Sequence, residues 1–415
     1  MHILLLHQFF VRPNEPGGTR HYELASECIR QGHRVTVITS DVNYQTGKRT
    51  GNNRSLYVES DLNGIVLRRV YSYSTLHLHF LRRVFSFLGF TILSVVASFN
   101  VKCVDLVVGT SPSLFQAYSA WLVSLLKKAP FLLEIRDLWP EFAIDIGILK
   151  NRFLIMLSRS LEIFLYKRVA RTIINSPAYK TYLTHKGIDE NKITLIANGV
   201  LSELFDPENR GEVVRLKYAI KKKFTVVYAG ALGIANDIET ILQSAVLLKP
   251  HREIHFLLVG GGNKRVELEK MAENHCLKNV TFTGSVSKSE IPNYLAAADA
   301  CVASLKNIPM FRTTYPNKVF DYMAAGRPTV LAIDGVIREV MENANGGVFV
   351  EPGNAPALSN AILRLSQNPN ECRRMGRSAR NYVIKHFDRR RQSEAFVDFL
   401  KQMVNHSNSA AACCR

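Results

Sequence analysis

The sequence predicts an α/β protein of two doubly wound domains, each a parallel sheet wrapped by helices. Three observations predict it. Short apolar runs recur with helical patterns between them, the order that builds parallel sheets. The recurrence stops and restarts at "LSELFDPENRGEVV", a polar stretch containing proline and glycine. At 415 residues the chain also exceeds one ordinary core.

The first domain opens with "HILLLHQFF", a continuous apolar strand, and a turn-rich loop, "VRPNEPGGTR". "HYELASECIRQGH" places Leu24, Cys28 and Ile29 on one helical face, and "RVTVITS" is a second strand. Strand, Gly-Gly loop, helix and strand make a βαβ unit. "IVLRRV", "DLVVGT", "FLLEIRD", "RTIINS" and "ITLIANGV" extend its sheet. The second domain runs through "FTVVYAG", "EIHFLLVGGG", "NVTFTG", "ACVASL", "PTVLA" and "GGVFVEP". The expected domains are 1-203, onto which a helix at 389-404 packs back, and 204-388; 405-415 is expected to be a flexible tail. Ligands of such sheets bind beyond the carboxyl ends of the strands, so two Rossmann-like domains are expected to face a cleft.

Val84 to Val101, "VFSFLGFTILSVVASFNV", carries no charge across 18 residues. It joins two strands of one parallel sheet, so the crossover must return to the side it left, and a spanning helix is excluded. Ser94, Ser98 and Asn100 interrupt its apolar surface. Arg82 and Arg83 just before it suit a helix half-embedded at a lipid headgroup layer; a crossover helix covered by protein is the alternative.

A hydrophobic content of 47% with 21% charged residues describes a folded chain. The net charge is +18. From Arg68 to Lys128 there are seven cations and one acid, and from Lys150 to Lys186 eight cations and one acid. Such a bias suits an anionic membrane surface, a phosphate-rich substrate or nucleic acid, or is a solvated basic face. No basic-aromatic module or recognition-helix motif supports nucleic acid. The seven scattered cysteines form no CxxC pair and no zinc spacing, and read as reduced thiols in a cytoplasmic protein. Cys413 and Cys414 are either a lipidation site or part of an inert tail. "MHILLLHQFF" lacks the basic flank and cleavage site of a signal peptide.

Four stretches carry chemistry. Gly17 and Gly18 in "PNEPGGTRHYEL" permit close approach of a diphosphate ahead of a helix, although an ordinary tight turn would use them too. The chain lacks the full G-x-G-x-x-G pattern there, which argues against NAD. In "LVGGGNKRVELE", Gly260, Gly261 and Gly262 end a strand before a helix. In "VTFTGSVSKSEIPNYLAAAD", the turn at Gly284 offers backbone groups to the edge of a planar base. The fourth, "YPNKVFDYMAAGRPTVLA", is the most informative. Pro316 suits a first helical turn, where its missing N–H costs nothing. The amides of Asn317, Lys318 and Val319 are then expected to be unpaired at a positive helix end, and Lys318 adds a full charge. Asp321, three residues on, is placed to accept hydrogen bonds from two ribose hydroxyls. The ligand read from this stretch is a nucleoside diphosphate; the alternative is a surface helix whose Asp321 merely favours the dipole.

The order of the Gly-Gly loop, "RQGHRVTVIT", "VVYAG", "LLVGGG", "VTFTG" and "PNKVFDYMAAGRPTV" resembles the retaining GT-B glycosyltransferases of family four. It is most similar to the branch that adds acetamido-deoxysugars such as N-acetylfucosamine in bacterial O-antigen and capsule assembly. The resemblance implies a UDP-sugar donor, a lipid-diphosphate-linked saccharide acceptor, and peripheral attachment to an anionic inner membrane surface. It implies that Asp321 is the ribose ligand and that Gly17 and Gly18 lie under the donor diphosphate. Gly284 to Val286 match the base-binding turn, and Asn198 to Val200 the end of the first domain. Gly230, Gly233, Gly261, Thr313, Asn317 and Lys318 complete the expected donor set.

The chain departs from the pattern in three places. The first glutamate of the paired-acid motif falls at Thr313, which suits a sugar with missing hydroxyls. The loop after "VVYAG" carries no cation, since Ala231 follows Gly230, so Lys318 and backbone amides must serve the diphosphate. The usual His-Asp reads Arg136-Asp137 in "EIRDLWPEF". Asp137 and Glu141 are expected to orient the acceptor hydroxyl, and Arg136 to hold phosphate or sugar; an Arg136–Asp137 ion pair with Trp139 as packing is the alternative. No D-x-D triplet occurs, so neither metal nor another cofactor is expected. A UDP-N-acetylglucosamine 2-epimerase of the same fold is the alternative enzyme, and a basic nucleic-acid-binding protein the non-enzymatic one.

Overall fold

The computed structural model describes residues 1–43, 47, 49, 55–72 and 80–413, with side chains outside 80–85 and 406–413. The side chains of Arg82 and Arg83, and the terminal cysteine thiols, lie outside what is described. Two compact units form. Unit 1 is Met1–Arg12, Thr19–Ala197 and Arg390–Arg415; unit 2 is Pro13–Gly18 and Asn198–Arg389.

Among the described residues unit 1 has eight strands: β1 (His2–Leu6), β2 (Arg34–Ser40), β3 (Tyr57–Leu62), β4 (Ile65–Val70), β5 (Leu106–Thr110), β6 (Phe131–Ile135), β7 (Arg171–Ile174) and β8 (Ile193–Leu195). Its helices are α1 (Arg20–Arg30), α2 (Phe80–Ser98), α3 (Leu114–Lys127), α4 (Glu141–Asp145), α5 (Arg152–Tyr166), α6 (Ala178–His185) and, from the chain's far end, α15 (Arg389–Cys413). The sheet order is β3-β4-β2-β1-β5-β6-β7-β8, parallel except for β3 against β4. The sequence reading missed β3 because "YVESDL" has no buried apolar face. It is a half-exposed edge whose Glu59 and Asp61 discourage further pairing. On one sheet face, Leu24 and Cys28 of α1 and Phe396, Val397 and Leu400 of α15 share a core with Ile3, Val35 and Ile65. The segment expected to be a flexible tail, 405-415, instead continues α15 to Cys413, since Ala410 to Ala412 favour the helix.

On the opposite face α2 packs on α3, and α3 on α5. The hydroxyls of Ser94 and Ser98 do not break the outer surface of α2. They are buried and donate to the carbonyls of Thr91 and Val95. The outer positions are Leu88, Ile92 and Phe99. Among the described residues no helix is long and apolar enough to cross a membrane.

Unit 2 has β9 (Phe224–Ala229), β10 (Ile254–Val259), β11 (Val280–Gly284), β12 (Ala300–Ser304), β13 (Thr329–Ala332) and β14 (Gly347–Phe349). Its helices are α7 (Glu212–Lys217), α8 (Ile238–Leu247), α9 (Arg265–Asn274), α10 (Ile291–Ala296), α11 (Asn317–Ala324), α12 (Val336–Asn343), α13 (Ala355–Gln367) and α14 (Pro369–His386). All strands are parallel in the order β11-β10-β9-β12-β13-β14, a doubly wound dinucleotide-type sheet. The units divide at Ala197/Asn198, ahead of the expected 203/204. Asn198 Nδ2 donates to the Tyr315 carbonyl (2.8 Å) and Val200 bridges Asp388, which ties residues 198–203 to unit 2. The segment 13–18 joins unit 2 because the Glu15 and Pro13 carbonyls accept from the N–H groups of Lys288 and Ser289 (both 3.1 Å).

Three loops lock together where β9, β10 and β11 end. Gly230 N–H donates to Val259, Leu232 N–H to Gly261, and Gly260 N–H to Gly284. A Cβ on Gly260 would stand 1.9 Å from the Gly230 carbonyl oxygen, and one on Gly262 2.3 Å from that of Leu232. Packing therefore demands these glycines before any ligand does. Gly18 differs: a Cβ there meets nothing within 4 Å. Gly260→Ala is expected to cost about 1–3 kcal/mol and lower the melting temperature, whereas Gly18→Ala leaves it unchanged. Equal melting curves for both would refute the packing account.

Candidate functional site

At the carboxyl edge of unit 2, α11 begins behind Pro316, which is the N-cap in an extended conformation (φ −67°, ψ 122°), not the first helical residue. Its carbonyl accepts the Val319 N–H at 3.1 Å, so the expected trio of unpaired amides is reduced to Asn317 and Lys318. The Asn317 side-chain oxygen is buried without a hydrogen-bond partner.

Lys318 reaches toward the end of β9. Its ammonium donates to the Tyr228 hydroxyl (3.0 Å) and Asn236 Oδ1 (2.6 Å) and stands 4.6 Å from the Tyr228 ring centre. Among the described residues no carboxylate pairs with it, and burial pulls its pKa down to about 7. Asp321 is 9% exposed and accepts from Lys288 Nζ at 2.5 Å. Gly230 and Gly233 follow β9, Gly261 follows β10, Gly284 and Val286 lie at and beyond the end of β11, and Thr313 follows β12. The structure therefore gathers this predicted donor set on one edge of one sheet. The Thr313 hydroxyl donates to the Met310 carbonyl at 2.6 Å. Sequence reading missed Tyr228, Asn236 and Lys288. Tyr228 has a visible signal, a polar tip on an apolar strand next to the glycine loop; nothing in the spacing announces the other two.

The carboxyl edge of unit 1 holds a buried charge centre that sequence reading also missed. Glu134, on β6, accepts from Arg20 Nε (2.7 Å) and contacts His21 Nε2 (2.5 Å). Burial opposes its ionisation, but His21, Arg20 and Arg136 outweigh burial and hold the carboxyl well below its ordinary range. Arg20 also donates to the carbonyls of Ile196 and Ala197, both at 2.8 Å. His7, just beyond β1, lies with its ring 3.8 Å from that of His21 and bonds Thr110 Oγ1 at 2.7 Å. Burial and the cations around it keep His7 neutral. A lone acid in the apolar run "FLLEI" was the available signal for this centre.

Arg136 and Asp137 follow β6, and no ion pair joins them. Among the described residues the Asp137 carboxyl has no hydrogen-bond partner, and burial pushes its pKa up, partly offset by Arg136. Glu141 is not brought to this group. Both of its oxygens accept from Arg159 (2.9 Å each) and Lys186 lies 3.6 Å away, so it belongs to an ion cluster with Glu162.

Two family models match the chain: "Glycosyl transferase 4-like domain" over residues 17–199 and "Glycosyl transferases group 1" over residues 212–382. Both halves of the chain are therefore glycosyltransferase domains, the second of them of group 1. An Escherichia coli K12 glycosyl transferase named for colanic acid biosynthesis is 22% identical over 91% of this chain and 94% of that protein. The sucrose-phosphate synthase structure from Thermosynechococcus elongatus matches with a TM-score of 0.79 at 18% identity, covering 98% of this chain and 99% of that one. Anabaena HepE, solved with UDP-glucose, matches at 0.72 and 16% identity over 97% and 100%. Two of the curated relatives align over 64% and 44% of their own lengths. These likenesses show a GT-B fold, with unit 2 carrying the group 1 half.

Burial leaves Lys318 with a pKa of about 7 when nothing is bound. A phosphate dianion against its amine raises that pKa, so above about pH 7 binding takes up a proton. With UDP as probe, affinity is expected to fall by up to about tenfold per unit between roughly pH 7.5 and 8.5. Lys318→Arg, charged throughout, flattens the profile. A wild-type affinity independent of pH in this window would show that Lys318 does not meet the phosphate.

Proposed function

We propose that the protein is a retaining glycosyltransferase that moves a sugar, an acetamido-deoxysugar of the N-acetylfucosamine type, from a UDP-sugar to a lipid-diphosphate-linked saccharide. The observation that carries this reading is the pairing on α11: a cation without an acidic partner, and one turn later a nearly buried carboxylate.

In this reading Asp321 accepts the two ribose hydroxyls while its other contact stays with Lys288. Gly284 to Val286 hold the base edge. Lys318, with the amides of Asn317 and Lys318, takes the charge that develops as the bond from the anomeric carbon to phosphate breaks. Gly17 and Gly18 line the diphosphate, and no metal is required. Thr313 has committed its proton to Met310, so it meets the sugar as an acceptor or through its methyl, which suits a missing hydroxyl. The acceptor oxygen bonds to the anomeric carbon on the face the phosphate leaves, and its proton passes to the departing phosphate. Asp137 and Arg136 position the acceptor; Glu141, occupied by Arg159, is left out of the catalytic set.

Calorimetry with UDP in excess EDTA tests the donor half. Wild type is expected to bind, and Asp321→Ala to bind at least about tenfold more weakly, the loss of charge-assisted hydrogen bonds. Equal affinities would dismiss the ribose assignment, and binding that needs added manganese or magnesium would dismiss metal independence.

The membrane half of the reading rests on the outer surface of the α2-α3-α5 layer. Leu88, Ile92, Leu125, Leu126, Phe153, Met156 and Leu157 are exposed there. Exposed Lys102, Lys128, Lys150 and Arg152 lie on or beside the same helices and complement an anionic leaflet on the cytoplasmic side. The protein is expected to float with phosphatidylglycerol vesicles at low salt and to be released by salt. Phe153→Ser/Leu157→Ser is expected to remain in the soluble fraction. Flotation unaffected by that change would place membrane contact elsewhere.

A further inference from the structure

A cavity of about 700 Å³ opens in unit 2 at the amino ends of the strands, the edge opposite the donor residues. Phe224 begins β9 there, and Asp299 and Pro328 immediately precede β12 and β13. Its size is that of a small-molecule site, and its lining is strongly basic. Arg373, Arg377 and Arg380 of α14 recur at helical spacing on one face of that helix. Arg327, at the turn after α11, joins them, as do Arg210, Arg215 and Lys221.

The three acids of the lining do not balance this charge. Asp299 is held by Arg215 at 2.8 Å, and Glu208 contacts Arg210 at 3.7 Å. Glu212 remains as the third. Arg327 donates only to carbonyls, those of Ala296 (2.7 Å) and Asn209 (3.3 Å), and its Nε is buried without a partner. Arg380 likewise bonds a carbonyl, that of Ala324, and Arg373 an amide oxygen, that of Asn370. Arg327 and Arg380 have acids only at a distance, Asp299 and Asp206, and the first of these is already held by Arg215; Lys221, Arg373 and Arg377 pair with no acid among the described residues, and all five converge on one hollow. Burial depresses the pKa of Arg327 and of Arg380, which reflects the cost of holding these charges out of water. Lys221, Arg373 and Arg377 are exposed and Arg327 and Arg380 half-buried, yet all five line one hollow instead of spreading over a flat face.

We propose that this cavity binds a compact, multiply charged phosphate group, separate from the donor site. Planar guanidinium forks on several sides match phosphate oxygens, and a buried unpaired N–H is satisfied by one of them. The cavity lies at the carboxyl end of α11, and Lys318 at the amino end, about 12 Å along the helix.

The test is calorimetry with inorganic tripolyphosphate on the full chain, run on wild type, on Lys318→Ala to silence the donor edge, and on Arg373→Ser/Arg377→Ser. The last pair is exposed on α14, and an unchanged melting temperature verifies its fold. Binding is expected to persist in Lys318→Ala and to weaken at least about tenfold in the double serine variant. Flotation with vesicles containing phosphatidic acid runs in parallel. If it is the vesicles that lose the double serine variant while tripolyphosphate gives no heat, the phosphate is a lipid headgroup and the site stands. Loss of tripolyphosphate binding in Lys318→Ala, or equal affinity and equal flotation for wild type and the double serine variant, would overturn the proposal.

Discussion

The donor edge depends on backbones approaching more closely than any side chain permits. Gly260 and Gly262 let the loop after β10 lie against the carbonyls of Gly230 and Leu232. That contact fixes the path of residues 230–236. Ser304, at the end of β12, donates to the Asn236 carbonyl at 2.6 Å, and Lys306 N–H to that of Ala235 at 3.0 Å. Asn236 is thereby held where its side-chain oxygen meets Lys318. The Tyr322 hydroxyl bonds both the N–H and the carbonyl of Ala229, pinning α11 to the same strand. A lysine with no acid beside it thus keeps one conformation through a chain of neutral contacts. None of those contacts neutralises its charge, which is present below about pH 7 and is restored above it by an anion.

Unit 1 handles two acids three residues apart in opposite ways. Glu134 sits among Arg20, His21 and Arg136 and stays ionised. Removing one partner of such a buried pair costs about 3–5 kcal/mol, because the other charge is then left uncompensated. Arg20 extends the effect, since it links α1 to β6 and to the carbonyls after β8. Asp137 has burial without a partner, so its proton is held more tightly and exchanges at a higher pH. The first acid is suited to holding the edge together. The second is suited to meeting a ligand.

Both sheets were legible in the sequence because a parallel strand buried on both faces is a short apolar run, and every such run became a strand. β3 was not, because an edge strand with one exposed face carries no such run. The carboxyl edge of unit 2 was legible where the backbone itself dictates residue type, at Gly260 and Gly284, and where charges mark the start of α11, at Lys318 and Asp321. Lys288 and Asn236 were not, because their roles come from contacts 33 and 82 positions away in sequence. The boundary at Ala197 was missed for a related reason. Composition changes at the polar stretch 201–214, whereas the hydrogen bonds that tether the chain to unit 2 begin at Asn198.

Charge shows the same limit most clearly. Windows along the chain count seven and eight cations against single acids, yet most of the acids that answer them lie outside those windows. Arg68 pairs with Glu59, Arg159 with Glu141 and Lys180 with Glu190, while Lys186 meets both Glu141 and Glu162. Arg168 spends its charge over the Phe164 ring at 3.6 Å. Among the described residues the cations left without an acid include Lys102, Lys128, Lys150 and Arg152 at the border of an apolar helix face, and that combination is more specific than net charge. A solvated basic surface needs no exposed Phe153, Met156 or Leu157 beside it. In unit 2 the uncompensated arginines surround a hollow instead. In the functions proposed above, the same excess of cations serves as a surface for a sheet of anions in one unit and as a container for a compact anion in the other.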